Sequence, residues 1–166
     1  MTDAPSSATN NSDALSAGMA RDTTRACAIL RGTQRLLRSL NFESLSEVSL
    51  GNGRRADILA ISGTGEAWIV EIKSSIADFR ADLKWHEYRD YCDGLLFAVA
   101  PDFPNEILPA DTGLILADAY AGELIRAAPR HALSPARRKA LALSFARTAA
   151  MRLLARIDPG AGIAME

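Results

Sequence analysis

Along residues 23–40, Ile29, Leu30, Leu36, Leu37 and Leu40 recur at three- and four-residue spacing, with Thr33 filling the one gap. That period marks one face of an amphipathic helix. Arg21, Arg25, Arg31, Arg35 and Arg38 populate its other face, and Asp22, Thr23 or Thr24 is the expected cap. After Asn41 the period drops to two. Runs rich in β-formers at 47–50, 55–61 and 67–72 are separated by Gly51-Asn52-Gly53 and by Ser62-Gly63-Thr64-Gly65-Glu66, both of turn composition. Helical spacing returns over 75–91 through Ile76, Phe79 and Leu83, with Trp85 or Tyr88 continuing the face. The stretch GLLFAVA at 94–100 is nearly continuous in apolar residues, as in a strand buried on both faces. Two short strands are predicted at 113–118 and 123–126. Ser134-Pro135 then supplies a cap and a first helical position for a long helix ending near Ile157. A helix between the third and fourth strands is a crossover, so those strands run parallel and the sheet is mixed. The predicted fold class is therefore α/β, a sandwich with a central mixed β-sheet flanked by helices.

Composition limits this picture to one domain. The chain has 166 residues, a mass of 17.8 kDa, 48% hydrophobic and 23% charged residues, the profile of a globular protein with room for one core. Residues 1–20, rich in Ser, Thr, Asn and Ala, are expected to be a disordered tail, 21–158 the folded domain and 159–166 a short C-terminal tail. No apolar run approaches the ~20 residues that span a bilayer, so no membrane span is expected. The two cysteines, Cys27 and Cys92, have no Cys-x-x-Cys spacing, and both are expected to be small buried hydrophobes. Without a leader-like N-terminus, the expected location is cytoplasmic.

The formal net charge of -1, from 19 Lys and Arg against 20 Asp and Glu, argues by itself against a polyanionic partner. Its distribution changes that reading. Arg126, Arg130, Arg137, Arg138, Lys139, Arg147, Arg152 and Arg156 occupy 126–156 with no Asp or Glu among them, while acidic residues gather in the middle of the chain. Terminal helices placed beside a common face would form a surface for phosphates, with Arg35, Arg38, Arg137, Arg138 and Lys139 as candidate DNA contacts. A solubilising helix surface is the other reading.

The candidate chemistry lies on the predicted hairpin. If the loop 62–66 closes it so that Ile61 faces Ala67, Asp57 falls opposite Glu71, and Lys73 shares the face of Glu71 two residues on. A slip of one residue would separate the carboxylates. Two close carboxylates repel each other unless a cation lies between them. Hard oxygen donors in small number suit Mg²⁺ or Mn²⁺, with the backbone carbonyl of Ile72 as a further ligand and Glu47 as a candidate third carboxylate. Lys73 would then orient or deprotonate an attacking water and balance transition-state charge, a phosphodiesterase layout. Arg54 and Arg55 are candidates to hold phosphate beside it. Ser74 and Ser75 are the expected caps of the following helix, and Asp78 and Asp82 fall on its solvated face.

Asp57, followed by Glu71-Ile72-Lys73 on a hairpin flanked by helices, resembles the PD-(D/E)xK nuclease superfamily of restriction endonucleases and repair nucleases. The resemblance implies a restriction-endonuclease-like fold with Asp57, Glu71 and Lys73 as the metal-binding and catalytic positions. Ala56 stands where the motif has proline. Lys84 and Tyr88 lie where related nucleases often carry an accessory residue. The segments GNGRRADILAI, VEIKSSIADFRADLKWHEYRDYCD, FAVAPDFPNEILP, GLILADAY and the Pro-Ala-Arg-Arg-Lys-Ala start of the last helix also resemble the bacterial MmcB-type DNA repair proteins. That resemblance implies a role in DNA repair, with DNA and a repair protein as expected partners and a homodimer admissible. Two functions follow: a Mg²⁺- or Mn²⁺-dependent DNA nuclease, or a nuclease-like module that binds DNA or a repair partner without cutting.

Overall fold

The computed structural model describes residues 9–160 of the chain. Its elements follow the order α1 (Thr9–Ser39), β1 (Phe42–Ser49), β2 (Arg55–Ser62), β3 (Ala67–Lys73), α2 (Ile76–Ala81), β4 (Gly94–Val99), β5 (Gly113–Ala117), β6 (Gly122–Arg126) and α3 (Pro135–Ile157), with 3₁₀ turns at Trp85–Tyr91 and Asn105–Ile107. One six-stranded sheet runs in the order β1-β2-β3-β4-β5-β6. Strands β1, β2 and β3 pair antiparallel, β3, β4 and β5 pair parallel, and β5 and β6 form an antiparallel hairpin. The mixed sheet expected from the crossover is thus present.

Helix α1 covers one face, burying Ile29 and Leu37 against Ile58, Ala60, Val70, Leu96 and Ile115. Helix α3 and the Trp85–Tyr91 turn cover the other, where Leu141, Tyr88 and Cys92 meet Val48, Leu59, Ile69 and Leu95. Strand β4 is buried along its whole length, as its unbroken apolar run requires. Gly32 lets α1 cross the β5–β6 turn, because a Cβ there would lie 2.2 Å from the carbonyl oxygen of Asp118. No helix among the described residues is long and apolar enough to cross a membrane.

Four expectations differ from the structure. The first strand is longer than the run expected at 47–50 and starts earlier, β1 beginning at Phe42 and ending at Ser49. Helix α1 begins at Thr9, so residues 9–20 of the stretch expected to be a disordered tail are helical, while 1–8 and 161–166 lie outside the described residues. The second helix does not run unbroken over 75–91. It starts as expected, with Ser75 Oγ accepting from the Asp78 N–H, but stops at Ala81, and Asp82–Lys84 turn the chain before the 3₁₀ segment. Cys92 is buried, but Cys27 is exposed at the side of α1.

Candidate functional site

The register of the β2–β3 hairpin places the chemistry. Ile61 pairs with Ala67 and Ile58 with Val70, and there the ladder stops, one step short of Asp57 and Glu71. Side chains take over from backbone at that point. The Ile72 N–H donates to Asp57 Oδ2 at 2.8 Å, and the Asp57 N–H donates to Glu71 Oε1 at 3.3 Å. Each carboxylate thus caps the opposite strand where the two diverge. Because N–H and C=O of one strand residue point to the same side, the Ile72 carbonyl opens into the gap beside Asp57.

Divergence on the β1 side has a local cause. Ser46 pairs with Ile58 and Val48 with Ala56, but Glu47, facing Asp57, is skipped and adopts φ 53°. A non-glycine residue in the left-handed region costs of order 1 kcal/mol, so the surroundings must hold it there. Arg152 of α3 does so, donating to the carbonyl oxygens of Ser46 at 2.6 Å and Glu47 at 2.9 Å. The Glu47 carboxylate turns to Arg55 at 2.5 Å.

Glu47, Arg55, Asp57, Glu71, Lys73 and Tyr88 line a cavity of about 420 Å³, closed on one side by Thr23, Ala26, Cys27 and Leu30 of α1. Lys73 Nζ lies 3.8 Å from Glu71 Oε2 and 2.6 Å from Asp82 Oδ2, with Lys73 and Glu71 almost fully buried. Burial alone would lower the Lys73 pKa, but the bond to Asp82 and the Glu71 charge raise it, so the side chain is an ammonium. Asp82 follows the converse rule: burial would raise it, and Lys73 holds it below its ordinary value. Asp78 caps the chain after Lys73, accepting from the Ser74 N–H at 3.0 Å. Burial first, then the Asp57 charge, pushes the Glu71 carboxyl up to about 8 against the pull of Lys73. Burial raises Asp57 as well, opposed by the Ile72 N–H and Lys73.

An acid raised in the folded state holds a proton that the unfolded chain releases at lower pH, so folding stability falls as pH rises between the two pKa values. For Glu71 that window runs from about 4.5 to about 8. Glu71→Gln removes the titration and is expected to raise stability at pH 8 by roughly 4 kcal/mol in metal-free buffer. Thermal melts of both proteins at pH 5 and pH 8 check this, the variant gaining at the higher pH only. Equal melting temperatures at both values would contradict it.

The other candidate positions divide by location. Tyr88 donates its hydroxyl to the Arg55 carbonyl at 3.0 Å and belongs to the cavity wall. Arg54 stands nearby in a two-point pair with Glu87 at 2.8 and 3.2 Å. Lys84 is exposed and meets the site only through its backbone N–H, which donates to Asp82 Oδ1. Arg35 and Arg38 lie towards the far end of α1, bonded to the Tyr120 carbonyl at 2.7 Å and to Glu43 at 3.0 Å. Arg137, Arg138 and Lys139 open α3 at the hairpin-loop end of the sheet, with Arg138 bound to the Gly65 carbonyl and to Asp93. The structure therefore does not bring these five to the cavity. Conversely, it adds Asp82 and Arg152, which in the sequence stand among solvated or generally basic positions. The helix break that turns Asp82 inward has no local signal, since 75–91 continues at helical spacing.

Comparisons with known proteins agree with this architecture. A solved structure of a protein of unknown function from Silicibacter pomeroyi superposes with a TM-score of 0.82 at 46% sequence identity, covering 85% of this chain and 97% of that one. A comparison with curated sequences returned no match. The profile described as DNA repair protein MmcB-like matches residues 12–160, which takes in both flanking helices, the whole sheet and every residue lining the cavity. The chain belongs to the MmcB-like family of DNA repair proteins.

Proposed function

We propose that the protein is a metal-dependent nuclease that hydrolyses DNA phosphodiester bonds in repair, with Asp57, Glu71 and the Ile72 carbonyl holding Mg²⁺ or Mn²⁺. The observation that carries this reading is the reciprocal capping of Asp57 and Glu71 where β2 and β3 part, beside a buried Lys73. The donor set fits a hard divalent cation. Glu71 is buried and Asp57 half-buried, both carboxyls are raised and each charge disfavours the other, so a cation between them removes an existing cost. Asp57 Oδ1 has no hydrogen-bond partner among the described residues, and the Ile72 carbonyl opens beside it. Among the described residues no group of three His, Cys, Asp or Glu side chains gathers as a metal site, so the proposed ion would rest on two carboxylates and one carbonyl, with water completing its shell. When bound, Mg²⁺ would act as a Lewis acid on the phosphate and lower the pKa of water.

The chain's own groups supply the rest. Lys73, anchored by Asp82, presents an ammonium to the place where phosphoryl charge develops, so its role is electrostatic and orienting rather than that of a base. Arg55, on the rim, meets the DNA phosphate by exchanging its partner Glu47 for it. Arg152 keeps Glu47 in the left-handed conformation that opens the β1 side of the site.

Purified protein with Mg²⁺ or Mn²⁺ is expected to cut plasmid, flap, branched or single-stranded DNA, with Lys73→Ala inactive and folded. A module that only binds DNA predicts instead a gel shift that survives chelator and no cleavage of any substrate. Asp82→Asn is expected to lower kcat about tenfold with KM for DNA little changed, because it loosens the Lys73 amine without touching the arginines. A rise in KM at constant kcat would place Asp82 among the DNA contacts instead.

A further inference from the structure

Helix α3 carries a second apolar face. At about 100° per residue, the direction of Leu141 and Phe145 points into the sheet, where Leu141 is buried. Leu143, Ala150, Leu154 and Ile157 then fall on the opposite side of the helix, with Ala146 and Leu153 next to them. Leu143, Leu153, Leu154 and Ile157 keep 55%, 59%, 48% and 74% of their surface exposed. This is a continuous stripe, and contiguous apolar surface of this kind marks an interaction site more often than single exposed residues do. Ala146 and Ala150 sit at its centre, where short side chains allow the backbone of another helix to come close.

Charge selects the occupant. Pro135–Ile157 contains no Asp or Glu; Lys139 stands in line with the stripe one turn before Leu143, Arg147 flanks it beside Leu154, and Arg156 lies beyond Leu153 on the other side. None of the three forms an ion pair among the described residues. A second copy of α3 would set cationic borders against each other, and DNA would leave the leucines uncovered. We infer that the outward face of α3 docks an amphipathic helix of a partner protein, whose leucine-type stripe covers Leu143, Leu153, Leu154 and Ile157 and whose flanking Asp or Glu side chains meet Lys139, Arg147 and Arg156.

The test uses the full chain and two labelled synthetic helices of about 20 residues, each with one leucine stripe, the remaining positions Glu-rich in one and Lys-rich in the other. Fluorescence anisotropy is expected to show the acidic helix binding at least about tenfold more tightly, with the preference shrinking as salt rises from about 50 to about 500 mM. Leu154→Asp, at a half-exposed position, should abolish binding while circular dichroism and DNA cleavage stay as in the wild type. Arg147→Glu with Arg156→Glu should reverse the preference. Equal binding of both helices, or binding of neither, overturns the inference. So does a dimer in light scattering that Leu154→Asp dissolves, or cosedimentation with phosphatidylglycerol vesicles that the same substitution removes.

Discussion

Asp57→Asn is expected to reduce Mg²⁺-dependent DNA cleavage by about a thousandfold or more while leaving the protein folded. The expectation follows from what each atom does. An Asn side-chain oxygen still accepts the Ile72 N–H that Asp57 Oδ2 accepts at 2.8 Å, so the end of the β2–β3 ladder keeps its cap. What disappears is the negative charge beside Glu71 and the oxygen left for a cation. Without the Asp57 charge the Glu71 carboxyl loses one of the three influences that raise it, burial and the Asp82 charge being the others, so the variant is also expected to resist unfolding at neutral pH at least as well as the wild type. Unchanged melting with lost cleavage is the combined signature. Full cleavage by Asp57→Asn would remove this carboxylate from the mechanism.

The largest effect on stability is expected far from the cavity. Asp93, almost fully buried before β4, accepts the Ala67 N–H at 2.8 Å and the Leu133 N–H at 3.4 Å, and both of its oxygens take Arg138 at 2.7 Å. Its own carbonyl accepts the His131 N–H. One side chain thus ties the start of β3 and the approach to α3 to the start of β4. Asp93→Ala leaves two backbone donors and a guanidinium without their acceptor, and is expected to cost about 3–5 kcal/mol in urea unfolding. Arg138→Ala should cost less, since the carboxylate keeps its backbone donors. Burial would raise the Asp93 pKa, but Arg138 and the two N–H groups hold it below its ordinary value. A carboxylate depressed in the folded state contributes stability above its unfolded pKa of about 3.9 and loses that contribution as pH falls through the folded value. The wild type should therefore lose its advantage over Asp93→Ala in acid. A cost below about 1 kcal/mol at pH 7 would show that α3 is held by Leu141 and its neighbours alone.

These two sites illustrate what could be read before folding. The hairpin was legible because a loop at 62–66 and a period of two leave one register, and Ile61 indeed pairs with Ala67. The caps at Ser75 and Ser134 were legible for the same reason, since a cap is a local contract between neighbours three residues apart. Arg138 was not. In the sequence it is one of three adjacent cations, and only tertiary structure reveals that it neutralises a buried Asp93 while Lys139 stays exposed. Asp82 was hidden by a helix that stops early, and Arg152 by carbonyls freed at a left-handed Glu47. Each depends on where another segment ends rather than on its own neighbours. Cys27 falls in the same class, exposed because the cavity opens beside that side of α1.

If Asp57 and Glu71 hold a cation between them, crystals soaked in MnCl₂ and measured for anomalous scattering will reveal it. A manganese peak in contact with Asp57, Glu71 and the Ile72 carbonyl, absent from Asp57→Asn crystals, is the predicted result. Crystals that take up manganese elsewhere, or show only Lys73 between the two carboxylates at saturating metal, would contradict it.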